Sequence, residues 1–218
     1  WTFEYYKNGT WYSGGGQQTV HRIFFPYANP SSTWGAMTND FLWKQAIDHA
    51  GFLFDLIDAE TNDLYYAKYY MTSSFYSASG TEYEGWHSHH TYYNDFNMKS
   101  FLTDFYSDPW ADCRDTSSDL QACCRALGIS CYSRTIDPYD YDYLNTKSID
   151  PVGSGYGWIT TTWNFHQIAW SYVWDPCIRV NQPSPILPTN MGVSSYRSYL
   201  YQSGYWNVGN SFVISVVR

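Results

Sequence analysis

The sequence predicts an α+β fold, and three observations carry the assignment. A helix-forming stretch, WADCRDTSSDLQACCRALGIS at 110–130, lies mid-chain, and strand-like segments fill most of the chain beyond it. Aromatic residues make up 21% of the chain against 15% charged, a balance that suits sheets and a packed interior rather than disorder. At 218 residues the chain can bury a substantial core, and no repeat, linker or composition shift divides it, so 1–218 reads as one domain.

In order along the chain, TVHRIFF at 19–25 reads as a strand closed by Pro26, and YANPSS at 27–32 as a turn. TNDFLWKQAIDHAG at 38–51 reads as a helix capped by Thr38 or Asn39 and stopped by Gly51, with Leu42, Ala46, Ile47 and Ala50 on one apolar stripe. Residues 52–97 read as aromatic and irregular with strand-like pieces such as DLYYAKYYM, and NMKSFLTDFY at 97–106 as a short helix or turn. After the cysteine helix, ISCYSRTI at 129–136 is a predicted strand, 137–155 a long loop, YGWITTTWNFHQIA at 156–169 a long strand and YVWDP at 172–176 a second one. The tail passes through the Pro-rich PSPILPTN at 183–190 into further strands.

Charge narrows the function. With 20 acidic and 12 basic residues and no basic cluster, nucleic acid and anionic membrane are poor candidates as partners, and neither a nucleic acid partner nor a membrane span is expected. No apolar run reaches membrane-spanning length. The chain starts at Trp1, which reads as a processed chain or an excised domain. Five cysteines cannot all pair, and Cys123 and Cys124 are adjacent on one helix, so free thiols are expected. Cys131 and Cys177 are expected on strands flanking the His strand, too far apart to bridge.

Asp112 is the expected N-cap of the cysteine helix, with Asp115 completing a box-like arrangement and Gly128 ending it. Leu120, Cys123, Cys124 and Leu127 fall on one stripe, and Cys113 projects onto the same stripe from the first turn, where amide dipoles favour a thiolate. Cys123 and Cys124, deeper along the helix, read as inert packing thiols. A base for Cys113 is available in WNFHQIAWSYVWDP at 163–176, where a two-residue turn at Trp170–Ser171 would set His166 opposite Asp175 on one sheet face.

These motifs resemble a known family. DCRDTSSDLQACCRALGIS at 112–130 looks like the core motif of the transglutaminase-like superfamily, a Cys with an acidic residue two positions on opening a helix that ends in ALGI. FHQIAWSYVWDPC at 165–177 resembles that family's His-strand and Asp-strand pair, and the likeness covers about residues 100–180. The resemblance implies a papain-like core in which the Cys helix packs on an antiparallel sheet, with Cys113 as nucleophile, His166 as base and Asp175 as its orienter. It implies acyl transfer from a protein or peptide amide, resolved by an amine (cross-linking) or by water (deamidation or peptide hydrolysis), with no cofactor and no metal. The sequence identifies no side-chain oxyanion donor, while the Cys113 backbone amide is one donor by position. The alternative is a catalytically inactive member of the same fold, an extracellular binding or structural module whose aromatic surface contacts polysaccharide or a cell-surface protein.

Three further stretches read blandly. HSHH at 87–90 places three imidazoles without acidic or Cys ligands at a metal spacing and reads as a solvated loop. YDYDY at 139–143, with Trp158, reads as a Tyr-rich loop bordering the cleft, and NGT at 8–10 is a glycosylation sequon that matters in a secretory setting.

Overall fold

A computed structural model of the chain describes residues 2–16, 27, 40–78, 80–85, 90–92, 95–105, 110–138, 143–153, 157–181, 183–202, 206–208 and 215–216. Among them the architecture is mixed α and β. The first half runs β1 (Thr2–Lys7), β2 (Thr10–Gly16), α1 (Asp40–Asp55), α2 (Leu64–Ala78), β3 (Glu82–Tyr83), β4 (Thr91–Tyr92), β5 (Asp95–Phe96), α3 (Met98–Phe105) and β6 (Trp110–Ala111). Then come α4 (Cys113–Ala126), β7 (Tyr132–Pro138), β8 (Leu144–Asn145), β9 (Ile149–Pro151), β10 (Thr162–Trp163), β11 (His166–Trp170) and β12 (Val173–Trp174). The chain closes with β13 (Ile178–Asn181), β14 (Pro185–Ile186), α5 (Val193–Leu200), β15 (Trp206–Val208) and β16 (Ser215–Val216). The predicted strand at 19–25, most of the turn after it, and the cap at Thr38 or Asn39 lie outside the described residues.

The cysteine helix α4 is the centre of the arrangement. It contacts α1, α2, β4, β6, β7 and β11. Asp112 caps it as expected, accepting from the Arg114 and Asp115 N–H groups, while the Asp115 carboxylate accepts from the Asp112 N–H to close a capping box. The helix terminates at Ala126, with Gly128 at φ 77° beyond the Leu127 cap. The expected apolar stripe is too narrow a description: every residue of α4 except Arg114 is buried, including Asp115, Ser117, Asp119, Gln121 and Arg125. Burying so polar a helix is tolerable only where its polar groups are bonded. Ser117 and Ser118 donate to the Arg114 carbonyl, Asp119 meets His49, and Arg125 donates to the Cys131 carbonyl.

Several elements differ from the expectation. α1 runs through Gly51 because its apolar positions continue to Leu53, and the chain leaves the helical path at Asp58, φ 49°. Within 52–97, the expected irregular region, α2 forms a helix of 15 residues. Asp63 caps it by accepting from the Tyr65 and Tyr66 N–H groups, and Ala67, Met71 and Phe75 bury one face at helical spacing. The tyrosines that suggested strand stack outside in i, i+4 pairs, Tyr65 on Tyr69 and Tyr66 on Tyr70. α3 forms as expected.

The principal sheet has the order β12-β11-β7-β15 and is antiparallel throughout. The predicted long strand at 156–169 is broken at Asn164–Phe165, so that β10 pairs with β8 and β11 with β7. The expected loop at 137–155 contributes β8 and β9, and the expected strands of the tail are preceded by α5, whose Tyr196 and Leu200 are buried one turn apart. β9 joins β13 and β14 in a separate sheet, pinned by the Arg179–Asp150 ion pair. Cys177 therefore leads into a strand of that separate sheet rather than flanking β11, and all five cysteines are free and buried.

Gly153 shows how tightly the parts are joined. Its φ is +61°, and a Cβ would fall 1.9 Å from the Thr81 carbonyl oxygen. Next to it, the Val152 carbonyl accepts the Tyr83 N–H at 3.0 Å. Gly153→Ala is expected to cost about 1–3 kcal/mol from the backbone conformation alone. The collision with Thr81 adds to this, and the loss is read as a lower urea midpoint.

Candidate active site

Asp175 lies just past β12, where its N–H donates to the Pro188 carbonyl. Its carboxylate is the meeting point of three elements. His166 Nε2, on β11, lies 2.8 Å from Oδ2; the Tyr196 hydroxyl, on α5, donates to the same oxygen at 2.5 Å; and the Cys177 N–H donates to Oδ1 at 2.9 Å. His166, Asp175 and Tyr196 are fully buried. The Trp163 ring stacks on the imidazole, with centroids 4.6 Å apart and planes 13° from parallel. This leaves His166 Nδ1 buried and without a hydrogen-bond partner among the described residues.

The His–Asp contact forms through a different register from the one expected. The β11–β12 pairs are Ala169↔Trp174 and Trp170↔Val173, so the turn is Ser171–Tyr172, with Tyr172 at φ 134°, and not Trp170–Ser171. Continued past Trp174, that register sets Asp175 opposite Ile168, two residues from His166. A slip of two preserves the face where a slip of one would have reversed it. Lys68 holds the turn from below, donating to Ser171 Oγ and to the Ser130 carbonyl.

Cys113 opens α4 and reaches the same strand. Its Sγ accepts the Gln167 N–H, one residue past His166, at 3.4 Å, and the Gln167 side chain donates to Ser117 Oγ at 2.9 Å. The thiol packs in one apolar cluster with Trp163, Ile168 and Cys177. The structure thus joins His166 to Asp175 directly and ties Cys113 to the His strand through Gln167. It shows no hydrogen bond from Cys113 to the imidazole.

The electrostatics differ from the sequence argument. Burial pushes the Cys113 thiol well above its ordinary value, the Asp112 carboxylate adds to this, and the Gln167 N–H works in the opposite direction. Burial and Asp112 thus favour the thiol over the thiolate, against the helix start. Cys123 and Cys124 are also pushed up, chiefly by burial, as expected of packing thiols. Cys131 is pushed down, first by a hydrogen bond with Cys124, and Lys68 and Arg125 act in the same direction.

A cleft of about 570 Å³ opens over Cys113, lined by Tyr83, Asp112, Arg114, Trp163, Asn164 and Phe165 among others. The Arg114 guanidinium lies over the Phe165 ring at 4.1 Å. A second hollow of about 370 Å³ shares Tyr83, Gly85, Thr162 and Trp163 with it and extends to Trp110 and Ile159. The break in the long strand at Asn164–Phe165 is what turns these residues into a cleft wall.

Gln167, Trp163 and Tyr196 escaped sequence reasoning. Tyr196 is one of 23 tyrosines, and nothing local marks it beyond its i, i+4 relation to Leu200. Among the described residues, one group carries metal-ligand chemistry: His49, Asp119 and Cys123, with ligand atoms all within 4.8 Å. His49 Nε2 and Asp119 Oδ2 are 3.0 Å apart, and the pair fastens α1 to α4 within the core. His87 and His89 lie outside the described residues, whereas His90 is buried rather than solvated, with Nδ1 3.2 Å from Ser100 Oγ. Most of YDYDY is also outside them, and its last member, Tyr143, lines the cleft. Asn8 of the sequon sits with Gly9 in the β1–β2 turn, both at positive φ.

Comparison of the chain with protein-family models, curated proteins and solved structures returns no match.

Asp115 lies under the site, accepting from the Asp112 and His90 N–H groups. Burial, and then the nearby Asp112 carboxylate, raise it from 3.8 to about 7. A carboxyl whose folded value exceeds its unfolded one favours the fold while protonated. That contribution is complete below the unfolded value and is lost as pH rises through the folded one. Asp115→Asn is expected to flatten the fall in stability between about pH 4 and pH 7, measured as the urea midpoint at each pH.

Proposed function

We propose that the protein is a cysteine-dependent acyl-transfer enzyme with a transglutaminase-like core, acting on an amide carbonyl through Cys113, His166 and Asp175. The observation that carries this reading is the buried His166–Asp175 pair, whose histidine opens the strand on which the next N–H, that of Gln167, meets the Cys113 sulfur. Asp175 orients the imidazole through Nε2 and leaves Nδ1 to accept a proton. Because the thiol is held protonated, the base works during attack: the Cys113 proton passes to His166 as sulfur bonds to the carbonyl carbon. The imidazolium then returns the proton to the departing amine as the carbon–nitrogen bond breaks, leaving a thioester. Water or a second amine attacks the thioester and restores the thiol.

The cleft supports a protein or peptide amide as substrate, since Tyr83, Trp163 and Phe165 line it with Cys113 and the adjoining hollow adds Trp110 and Ile159. No helix among the described residues is long and apolar enough to cross a membrane. A raised Cys113 thiol favours a second reading, a binding or structural module of the same fold that has lost catalysis and contacts polysaccharide or a cell-surface protein.

Site-resolved mass spectrometry after exposure to p-nitrophenyl acetate separates the two. The enzyme reading expects a thioester at Cys113 that is absent in Cys113→Ala and forms about 10²- to 10⁴-fold more slowly in His166→Ala, the usual contribution of a general base. If Cys113 acylates no faster than Cys123, and at one rate with or without His166, the inactive module is the correct reading.

A further inference from the structure

Acyl transfer at Cys113 would generate a negatively charged oxygen, and the sequence offered only the Cys113 backbone amide to receive it. We propose that the Tyr83 hydroxyl is the side-chain donor of the oxyanion hole. The proposal rests on the reading of Cys113 as nucleophile.

Three observations support it. Tyr83 is carried to the site by backbone pairing: β3 runs parallel to β6 with Tyr83 opposite Ala111, two residues ahead of Cys113, and the Glu84 N–H donates to the Ala111 carbonyl at 3.0 Å. The other side of β3 is held by the Tyr83 N–H bond to Val152. Its position is therefore set by the same segment that delivers the sulfur, and its ring lines the same cleft.

The hydroxyl also has a proton to give: Tyr83 and Trp163 line the cleft together, and a phenol carries one O–H donor. Burial raises the Tyr83 hydroxyl far above the ordinary tyrosine range, so the proton stays in place at any working pH. Trp163 stacks on His166 as well, so one ring borders both the base and the cleft that holds this hydroxyl.

Room for the hydroxyl is provided by Gly85. A Cβ there would stand 2.8 Å from the Tyr83 hydroxyl oxygen. The N–H of Cys113 takes no part in the cap, which uses the N–H groups of Arg114, Asp115 and Thr116. Backbone and phenol would together supply two donors, the number that acyl-transfer sites commonly present.

The test compares two reactions at one sulfur. Acylation by p-nitrophenyl acetate passes through an oxyanion, whereas alkylation by iodoacetamide does not. Tyr83→Phe is expected to slow acylation about 10²- to 10³-fold, as loss of one oxyanion donor does, and to leave the rate and pH profile of Cys113 alkylation unchanged. Should Phe at 83 leave the protein unfolded, Gly85→Ala provides the same comparison by displacing the hydroxyl. Equal slowing of both reactions, or a shifted alkylation profile, would mean that Tyr83 acts on the thiol or the fold and would overturn the proposal. So would full acylation by Tyr83→Phe, or a loss appearing instead in Asn164→Ala, whose amide side chain also lines the cleft. If the unaltered protein forms no thioester, the nucleophile reading itself fails, and the assignment of Tyr83 fails with it.

Discussion

The fold is organised around a polar helix that has almost no access to water. α4 carries Asp115, Thr116, Ser117, Ser118, Asp119, Gln121 and Arg125 in its buried surface, and leaving any of these groups unbonded would cost on the order of 1–3 kcal/mol. Its neighbours are therefore chosen by chemistry as much as by shape. α1 brings His49 to Asp119, the segment before β4 brings the His90 N–H to Asp115, and β11 brings the Gln167 amide to Ser117. Each bond also sets the height and rotation of α4 against its surroundings. Cys113, in the first turn, inherits a position defined by contacts along the next two turns.

Capping and reactivity oppose each other at that position. The Asp112 carboxylate satisfies two N–H groups at the helix start and stabilises α4, yet it stands beside the sulfur and disfavours a thiolate. Burial acts in the same direction, and the Gln167 N–H offsets only part of this. A charged sulfur is then tolerable only together with a positive partner. In the proposed reaction that partner is His166, whose Nδ1 is buried and without a hydrogen-bond partner among the described residues. If the protein is the proposed enzyme, that burial calls for the sulfur to lose its proton as it attacks.

Local signals were legible and long-range ones were not. Asp112, Asp115 and Gly128 fall where capping rules place them, because a helix end is determined by a few neighbouring residues. The His166–Asp175 contact was readable from spacing, although through the wrong turn, since a shift of two residues leaves a strand's facing unchanged. α2 was missed because its tyrosines have strand propensity, whereas Asp63 and the spacing of Ala67, Met71 and Phe75 decide for helix. Trp163, Gln167, Tyr83 and Tyr196 could not be read, as each acts through a partner brought close only by sheet pairing or by α5. Mixed α and β content was visible in the pattern of segments, while the division into several small sheets depends on breaks such as Asn164–Phe165 that have no sharp sequence mark.

The Asp175 carboxylate shows why the C-terminal part of the chain bears on the site. A buried carboxylate with one partner would be poorly solvated, but here Oδ1 is held by a backbone N–H, and Oδ2 is shared between an imidazole and a phenol. The shared oxygen couples α5 to β11: any movement of Tyr196 redistributes the bond that aligns His166. Trp163 closes the opposite face of the imidazole, so the ring is constrained by a bond in its plane and a stack above it. An imidazole held in both ways has one nitrogen left without a hydrogen-bond partner among the described residues. On the proposed mechanism, helix α4, the β11 strand and the α5 helix must all be in place before that nitrogen can serve the sulfur.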